Sequence, residues 1–285
     1  MTPAGHGETA AHREDRRPAE PLVSVCVGVR NGMATAEAFV RSVRAQTYPR
    51  TDLVVVDNFS TDGTAAFYRE RADLFLQQGP ERSAQRNLAI QRASGEVVVV
   101  LDADQYLSPG VVAECVALMA AGARGVFIPE DTVAHGFWGA CKKFERDFYV
   151  DGDLSAEAAR CFRRDDVLAL GGYDERQTGS EDWDLSDRML ARFGPFARTR
   201  ARLLHDEGRI ELASLLRKKR YYAERGISDY LRVAPAYRRL PFPLRPSVRR
   251  RWWRFLRHPL LGGGALAMKL LEGLVSVGVR RGSRA

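Results

Sequence analysis

The sequence predicts an α/β protein with a mostly parallel central sheet flanked by helices. Two apolar runs without polar alternation, residues 53–56 and 97–101, indicate strands buried on both faces, which is typical of central parallel strands. Apolar residues at helical spacing, such as Ala36, Phe39 and Val43, lie between such runs. Because strands and helices alternate through residue 128, we expect a doubly wound sheet.

The elements of the first half are predicted from apolar runs and from residues that begin helices. Ser83 is expected to cap one helix, and Ser108 with Pro109 to begin another. The predicted strands are 22–29, 53–56, 74–76, 97–101 and 125–128, and the predicted helices are 36–43, 65–72, 83–93 and 108–122.

The second half is less regular. A helix rich in aromatic residues is expected over 137–149, a short strand over 159–162, and helices over 168–172, 181–194 and 212–223. Residues 1–20 are polar and lack periodicity, which predicts a disordered tail.

The charge of the chain is unevenly spread. Net charge is +8, but residues 198–257 hold 18 Lys and Arg against 5 Asp and Glu. This excess points to an anionic partner, which could be a membrane surface, nucleic acid or a phosphorylated substrate; a solvated basic face is the alternative. Four scattered cysteines without a CxxC pair indicate a reducing compartment and no zinc site. No apolar run follows the N-terminal charges, so we expect a cytoplasmic protein without a signal peptide.

The C-terminal part predicts contact with a membrane. Trp252 and Trp253 stand among arginines, and Trp is typical of membrane interfaces. Residues 258–279 are mainly apolar but contain Lys269 and Glu272, and a charge at the centre of a spanning helix costs about 2.5–3.5 kcal/mol. We therefore expect an interfacial helix at the inner face of the plasma membrane. The alternative is that residues 249–285 pack on the core.

Asp102 and Asp104 follow the buried run 97–101 directly. Ligands of open α/β sheets bind beyond the carboxyl ends of the strands, and two carboxylates there suit a hard divalent cation that holds a diphosphate. The alternative interpretation is an ordinary turn.

Other polar residues stand at similar places. Asp57, which follows the run 53–56, could accept hydrogen bonds from a nucleoside or cap the next helix. Arg86, near a helix start, could donate to a phosphate. The stretch 181–183 offers an exposed acid beside the flat Trp183 ring, which could grip a sugar, although acids in a first helical turn are also ordinary dipole partners. His205 could add a ligand to an open metal site.

These stretches, in this order, resemble the family 2 glycosyltransferases, which have the GT-A fold, over roughly residues 22–210. The first strand and turn end in Gly28-Val-Arg-Asn31, where the family usually has Pro-Thr-Tyr-Asn. The run Val54-Val-Val-Asp-Asn-Phe-Ser-Thr-Asp-Gly-Thr64 is similar to the nucleoside-binding motif. Leu101-Asp-Ala-Asp104 is the Asp-x-Asp motif. The remaining matches are 86–96, 171–175 and 181–184.

The resemblance implies a role for each matched residue. Asp182 would be the general base, with Glu181 beside it gripping the acceptor. Asp104 would coordinate Mg²⁺ or Mn²⁺ with help from Asp102, and His205 would be a further ligand. The residues expected to bind the nucleotide sugar are Arg30, Asn31, Asp57, Asn58, Arg86, Asn87, Asp102 and Ala103, and those expected on the acceptor side are Trp183 and Gly172.

The resemblance also implies a division of the chain. Residues 21–210 would form the GT-A domain, with 21–104 as the nucleotide-sugar half and 105–210 as the acceptor half. Residues 211–285 would form a basic, helical C-terminal region. The implied reaction moves a sugar, with inversion, from a UDP- or GDP-type donor to an acceptor hydroxyl on a lipid-linked or membrane-proximal glycan.

Three alternatives remain open at this point. The acceptor could be soluble, such as a secondary metabolite, and residues 249–285 would then pack on the core. A nucleic-acid-binding protein would use the basic region, but no helix-turn-helix or zinc finger appears, and this function leaves the aspartates without a role. The full set of carboxylates also argues against a sugar-nucleotide binder without turnover.

Overall fold

A seven-stranded sheet forms the centre of the protein in the computed structural model, which describes residues 20–225 and 227–282. Its strand order is β3-β2-β1-β4-β8-β6-β9, and only β8 runs antiparallel to its neighbours. The strands are β1 (Val23–Val29), β2 (Thr51–Asp57), β3 (Leu74–Gln77), β4 (Val97–Asp102), β6 (Gly125–Phe127), β8 (Cys161–Arg163) and β9 (Phe196–Arg198). The mostly parallel sheet expected from the apolar runs is confirmed.

Helices cover both faces of this sheet. In chain order they are α1 (Met33–Arg44), α2 (Thr64–Arg69), α3 (Arg82–Arg92), α4 (Val111–Ala120), α5 (Gly136–Arg146), α6 (Arg164–Ala169), α7 (Glu181–Phe193), α8 (Leu212–Glu224), α9 (Ile227–Val233), α10 (Pro246–Arg250), α11 (Trp253–Arg257) and α12 (Pro259–Gly282). Two short 3-10 turns, Ala236–Arg239 and Phe242–Leu244, precede α10. The predicted tail falls almost wholly on residues 1–19, which lie outside the described residues.

Alternate residues of each central strand enter different apolar layers. Val25 and Val27 of β1 pack in one layer with Phe39 of α1, while Cys26 packs in the other with Ile90 of α3. All of these side chains are buried. Burial on both faces explains why the strands read as continuous apolar runs without polar alternation.

A second, smaller sheet brings a distant strand to the end of β4. It consists of β5 (Gln105–Leu107), β10 (Leu203–Arg209) and β7 (Glu130–His135), in the order β5-β10-β7. Strand β10 pairs antiparallel with β5, and His205 lies opposite Gln105. Because β5 begins directly after Asp104, this pairing carries His205 to the Asp-x-Asp motif.

The starts of two helices differ from the prediction. Helix α4 begins at Val111, and the Ser108 hydroxyl accepts a hydrogen bond from the backbone N–H of Arg202 instead of capping the helix. Helix α3 begins at Arg82, one residue before the expected cap Ser83, whose hydroxyl donates to the backbone of Gln177. In both cases a residue from the second half of the chain binds the hydroxyl, and the sequence does not show that partner.

The C-terminal helix α12 packs one face on the body of the protein. Ala265 and Met268 are buried, whereas Leu270 and Leu274 on the other face are 65% and 59% exposed. Within the described residues, Pro259–Val279 is the one segment long and apolar enough to cross a membrane, and 22% of its apolar window is buried. The helix therefore has a packed face and an open apolar face.

Candidate active site

A cleft of about 580 Å³ opens beyond the carboxyl ends of the central strands. Helices α5, α7 and α8 form its other walls. Of the residues singled out from the sequence, it is lined by Asn31, Asp102, Ala103, Asp104, Asp182, Trp183 and His205. These residues come from four separate stretches of the chain, and the fold brings them together.

Asp102, the last residue of β4, is held by two arginines. Arg86 of α3 donates to Oδ1, and Arg160 lies 3.5 Å from Oδ2. Burial alone would raise the pKa of Asp102, but the two guanidinium groups outweigh burial and hold that pKa well below its usual range. Asp102 is therefore a carboxylate with both oxygens already facing cations.

Asp182 lies in the first turn of α7 and contacts the same two arginines. Its Oδ1 accepts a hydrogen bond of 2.9 Å from Arg86, and its Oδ2 lies 3.5 Å from Arg160. Its side chain is 23% exposed and faces the cleft. Arg86 and Arg160 thus connect the end of the central strand to the start of α7.

Arg86 does not occupy the position expected of a phosphate ligand. It is 2% exposed and binds Asp102, Glu181 and Asp182. A guanidinium group has five donors and pairs best with carboxylates when both are removed from water. The donor contact of Arg86 therefore stays a prediction, and what the structure shows is that Arg86 holds the three carboxylates in place.

Of the two acids in the stretch 181–183, Asp182 is the one open to the cleft, whereas Glu181, expected beside it to grip the acceptor, is buried. Glu181 is 1% exposed, ion-paired with Arg82 and Arg86, and accepts a 2.5 Å hydrogen bond from the backbone N–H of Gly179. A buried carboxylate needs such partners to offset lost hydration. Of the Glu-Asp-Trp stretch, the Asp182 and Trp183 side chains are the ones that line the cleft.

His205, Asp104 and Glu130 form a cluster on the second sheet. His205 Nε2 lies 3.5 Å from Asp104 Oδ2, and Nδ1 lies 3.2 Å from Glu130 Oε2. Burial lowers the pKa of His205, but hydrogen bonds to Asp104 and Glu130 outweigh it and raise the pKa to about 10. Burial would raise the pKa of Glu130, but His205 and Arg160 hold it below its usual range.

The fit of this cluster to a divalent cation depends on Asp104. Its Oδ1 is buried and has no hydrogen-bond partner, which is the condition of an oxygen that can serve as a metal ligand. In the described part of the chain, however, no group of three or more His, Cys, Asp or Glu side chains is arranged to hold a metal ion. Asp104 Oδ1 is thus free to take a cation, which would need its remaining ligands from a substrate and would have to displace the proton of His205 before that side chain could join.

A second pocket of about 360 Å³ adjoins the cleft. Arg30 and Asn58, both expected to bind the nucleotide, line it together with Tyr221 and Tyr222 of α8. Asp57 is fully buried behind it. Its Oδ2 accepts hydrogen bonds from Ser60 and Gln77, and its Oδ1 is a buried atom without a partner.

Asn87 and Gly172 contact each other and do not line the cleft. The Asn87 amide donates to the backbone oxygen of Tyr173 and accepts from its N–H. Gly172 has a φ of +73°, and a Cβ there would collide with the Asn87 side chain. This pair joins α3 to the loop before α7, and the donor contact of Asn87 and the acceptor contact of Gly172 stay predictions.

Arg160 and Glu130 belong to the site but were missed from the sequence. Arg160 is the one charged residue of the apolar run 159–162, and Glu130 stands just beyond the predicted strand 125–128. The rule that singled out Asp102, a carboxylate past the end of a strand, could have found Glu130 as well. No motif marks either residue.

The comparisons with known proteins agree with this geometry. The model of glycosyl transferase family 2 matches residues 24–152. Glycosyltransferase AglE of Haloferax volcanii is 32% identical over 105 residues, which are 32% of this chain and 34% of that protein. The chain covers between 20% and 36% of the length of the first three curated relatives that it matches.

Solved structures share the fold at low sequence identity. The mannosyltransferase PcManGT from Pyrobaculum calidifontis, in complex with GDP-Man and Mn²⁺, has a TM-score of 0.58 at 19% identity and covers 94% of this chain and 81% of its own. Residues 1–349 of TarS from S. aureus, in complex with UDP-GlcNAc, have a TM-score of 0.53 at 15% identity and cover 92% of each chain. The family match over residues 24–152 and the shared fold together support the resemblance of this chain to glycosyl transferase family 2.

Proposed function

We propose that this protein is an inverting glycosyltransferase that moves a sugar from a nucleotide-diphosphate sugar to an acceptor hydroxyl. The observation that carries the proposal is that Asp104 and Asp182, far apart in the sequence, line one cleft at the ends of the central strands. Residues 21–104 would hold the donor and residues 105–210 the acceptor. The basic helical region 211–285 would close the cleft and meet the membrane.

The donor would lie across the smaller pocket and the cleft. The unpartnered Oδ1 of Asp57 suits an N–H group of a nucleobase, although Asp57 is fully buried and does not itself line the smaller pocket. The Tyr221 and Tyr222 rings offer apolar surface in that pocket. The structural neighbours were solved with GDP-Man, UDP and UDP-GlcNAc, which supports a UDP- or GDP-type donor.

Mg²⁺ or Mn²⁺ would be held by Asp104 and His205 beside the diphosphate. When bound, such an ion neutralises negative charge that develops on the leaving group. The Mn²⁺ complex of PcManGT supports this assignment, and so does the buried, unpartnered Asp104 Oδ1.

Asp182 would act as the base that takes the proton of the acceptor hydroxyl. A carboxylate serves this role when it can reach that proton within hydrogen-bond distance, and Asp182 is open to the cleft. Arg86 and Arg160 fix its position from behind, while the Trp183 ring offers a flat wall for a sugar. One base and one in-line attack give inversion at the sugar carbon.

Replacing Asp104 by Ala should remove the part of donor binding that depends on metal. A ligand that binds the folded state at about 100 times its Kd adds about 2.7 kcal/mol to the free energy of unfolding. We expect a UDP-, GDP- or TDP-sugar to raise the Tm of the wild type with Mn²⁺ and to lose that increment in Asp104→Ala. Asp131→Ala, an exposed carboxylate paired with Arg202, is the matched control. If the Mn²⁺-dependent increase in Tm is the same in Asp104→Ala as in the wild type, Asp104 is not a metal ligand.

The acceptor would be lipid-linked, because the C-terminal region presents an apolar surface bordered by cations. We call the exposed leucines of α11 and α12 the outer leucine face; they are Leu256, Leu260, Leu266, Leu270 and Leu274. Trp252 and Trp253 are 60% and 45% exposed next to it, and Arg249, Arg250 and Arg257 are exposed as well. Exposed leucines with Trp and Arg at the edge fit the headgroup region of an anionic bilayer. The protein would then be peripheral on the inner face of the plasma membrane.

The variant Leu266→Ser/Leu270→Ser/Leu274→Ser should lose binding to anionic vesicles. Each leucine that enters the bilayer contributes about 1.5 kcal/mol or more, so the loss of three should lower the affinity by about 1,000-fold or more. Co-sedimentation with phosphatidylserine-containing and with purely phosphatidylcholine vesicles measures this effect. Phe59→Asp, which removes an exposed apolar side chain after β2, is the control. If the wild type does not co-sediment with anionic vesicles, that result would favour a soluble acceptor instead.

A further inference from the structure

One end of the cleft is lined by cations of α5 and α8. We call Lys142, Arg146, Lys218 and Lys219 the basic end of the cleft. None of them is used by the donor site, the metal site or the base as proposed above, although Lys218 also borders the smaller pocket. This set therefore requires its own explanation.

The ion pairs around the basic end leave positive charge uncompensated. Glu145 binds Lys142 at 2.9 Å and Lys269 at 3.0 Å. Glu272 lies 3.5 Å from Lys219 and 3.2 Å from Lys269. Three lysines therefore share two glutamates, and Lys142 is only 5% exposed. An uncompensated cation in a partly buried position is costly unless an anion joins it.

Arg146 and Lys218 add to this excess. The Arg146 Nε lies 4.0 Å from Glu207 Oε1, and both atoms are buried without a hydrogen-bond partner. The other two acids near Arg146 are Glu130, which already binds Arg160 and His205, and Glu145, which already binds Lys142 and Lys269. Among the side chains that the structure describes, none carries a carboxylate within ion-pair distance of Lys218, although Lys218 is near enough to help lower the pKa of Glu207. Arg146, with its buried N–H donor, and Lys218, whose ammonium group lies 5.9 Å from the centre of the Tyr222 ring, thus line the cleft together.

The pKa of Lys219 reflects the same excess of positive charge. The pKa of Lys219 is lowered to about 8. Burial is the largest cause, and the charges of Lys269 and Lys142 lower the pKa further, although the nearby Glu272 acts in the opposite direction. An anion bound among these cations would relieve that repulsion.

We propose that the basic end of the cleft binds an anionic group, a phosphate or a carboxylate, carried by the sugar acceptor. The inference rests on the proposed function, because it assumes that the donor fills the side of the cleft next to Arg30 and Asn58. Lys142, Arg146 and Lys219 line only the larger cleft and not the smaller pocket. The acceptor would then be an acidic sugar or a polyol phosphate, with the reacting hydroxyl toward Asp182.

The test measures binding of small anions to the full chain by calorimetry, with saturating UDP or GDP and Mn²⁺ present. Glycerol 3-phosphate and glucuronate are the phosphate and carboxylate probes, and glycerol and glucose are their neutral counterparts. Arg146→Met and Lys219→Met remove cations of the basic end, and Lys218→Met removes an exposed one that does not endanger folding. Lys143→Met and Arg220→Met lie on the same helices, pair with Asp147 and Glu224 outside the cleft, and are the controls.

We expect at least one anionic probe to bind and both neutral probes to fail. Each of the three variants should weaken that binding by roughly 10- to 100-fold, because a charge-assisted hydrogen bond is lost, while the two controls bind as the wild type. The probe that binds more tightly identifies phosphate or carboxylate as the acceptor group. Wild-type affinity in Arg146→Met and Lys219→Met would overturn the inference. Displacement of the probe by UDP or GDP would also overturn it, since the cations would then belong to the donor. If the protein binds the probe but binds neither UDP nor GDP, the anion site is supported and the proposed nucleotide-sugar donor is contradicted.

Discussion

Replacing Asp182 by Asn should abolish sugar transfer while donor binding persists. The amide can still accept the hydrogen bond from Arg86, so the side chain keeps its place, but it cannot take a proton from the acceptor. A positioned general base contributes about 10²- to 10⁴-fold to the rate, and we expect kcat to fall by that factor. Nucleotide release, measured with acceptor present, gives kcat. Calorimetry with the donor gives the binding that should remain.

Asp184→Asn is the matched control for this experiment. Asp184 stands two residues further along the first turn of α7, pairs with Arg188 and does not line the cleft. It has the same charge and the same relation to the helix dipole, so a loss caused by the dipole alone would appear in both variants. Unchanged turnover in Asp182→Asn, or equal losses in the two variants, would contradict the assignment of Asp182 as the base.

Replacing Arg86 by Met should destabilise the whole protein. Arg86 is 2% exposed and binds three carboxylates, one of which, Glu181, is 1% exposed. Removing one partner of a buried ion pair costs about 3–5 kcal/mol. We expect about 3 kcal/mol, the lower end of that range, because Arg82 still binds Glu181 and Arg160 still faces the other two acids. Urea unfolding measures the change in the free energy of unfolding.

Two further variants separate burial from charge in that measurement. Arg176→Met removes an arginine that is 90% exposed and paired with Asp174, and we expect it to change the free energy of unfolding far less than Arg86→Met does, because water screens an exposed pair. Arg86→Met/Glu181→Gln should recover part of the loss, because the buried carboxylate that lost a partner is neutral in the double variant. A loss no larger in Arg86→Met than in Arg176→Met would show that the three carboxylates do not depend on Arg86.

The strands that carry the site, and some of the residues at their ends, can be predicted from local sequence. The runs 53–56 and 97–101 predict buried parallel strands, and the ends of such strands are where Asp57 and Asp102 stand. The family resemblance predicts that Asp104, Asp182 and His205 belong to one site, and the fold places all three on one cleft. Their chemical roles remain proposals.

The ion pairs of the site could not be predicted in the same way. Arg86 pairs with Asp182 across 96 positions of the chain, and Arg160 with Asp102 across 58. Periodicity reports which face of an element is apolar, but it does not report which buried charges meet. For this reason the sequence did not show which of Glu181 and Asp182 is buried, that Arg86 pairs with three carboxylates, or that Arg160 belongs to the site. Strand β5 has three residues, too few for any alternation to show.

The pairing of β10 with β5 also determines when the site can exist during synthesis. His205 is made about 100 residues after Asp104, which takes about 5–20 s at a ribosomal rate of 5–20 residues per second. Contacts of such long sequence separation form late, because the loop between them must close first. A nascent chain can thus complete β1 to β4, with Asp57 and Asp102, before Asp182 and His205 have left the ribosome. The half that would recognise the nucleotide is finished first, and the half that would make the donor reactive arrives only when nearly the whole enzyme is folded.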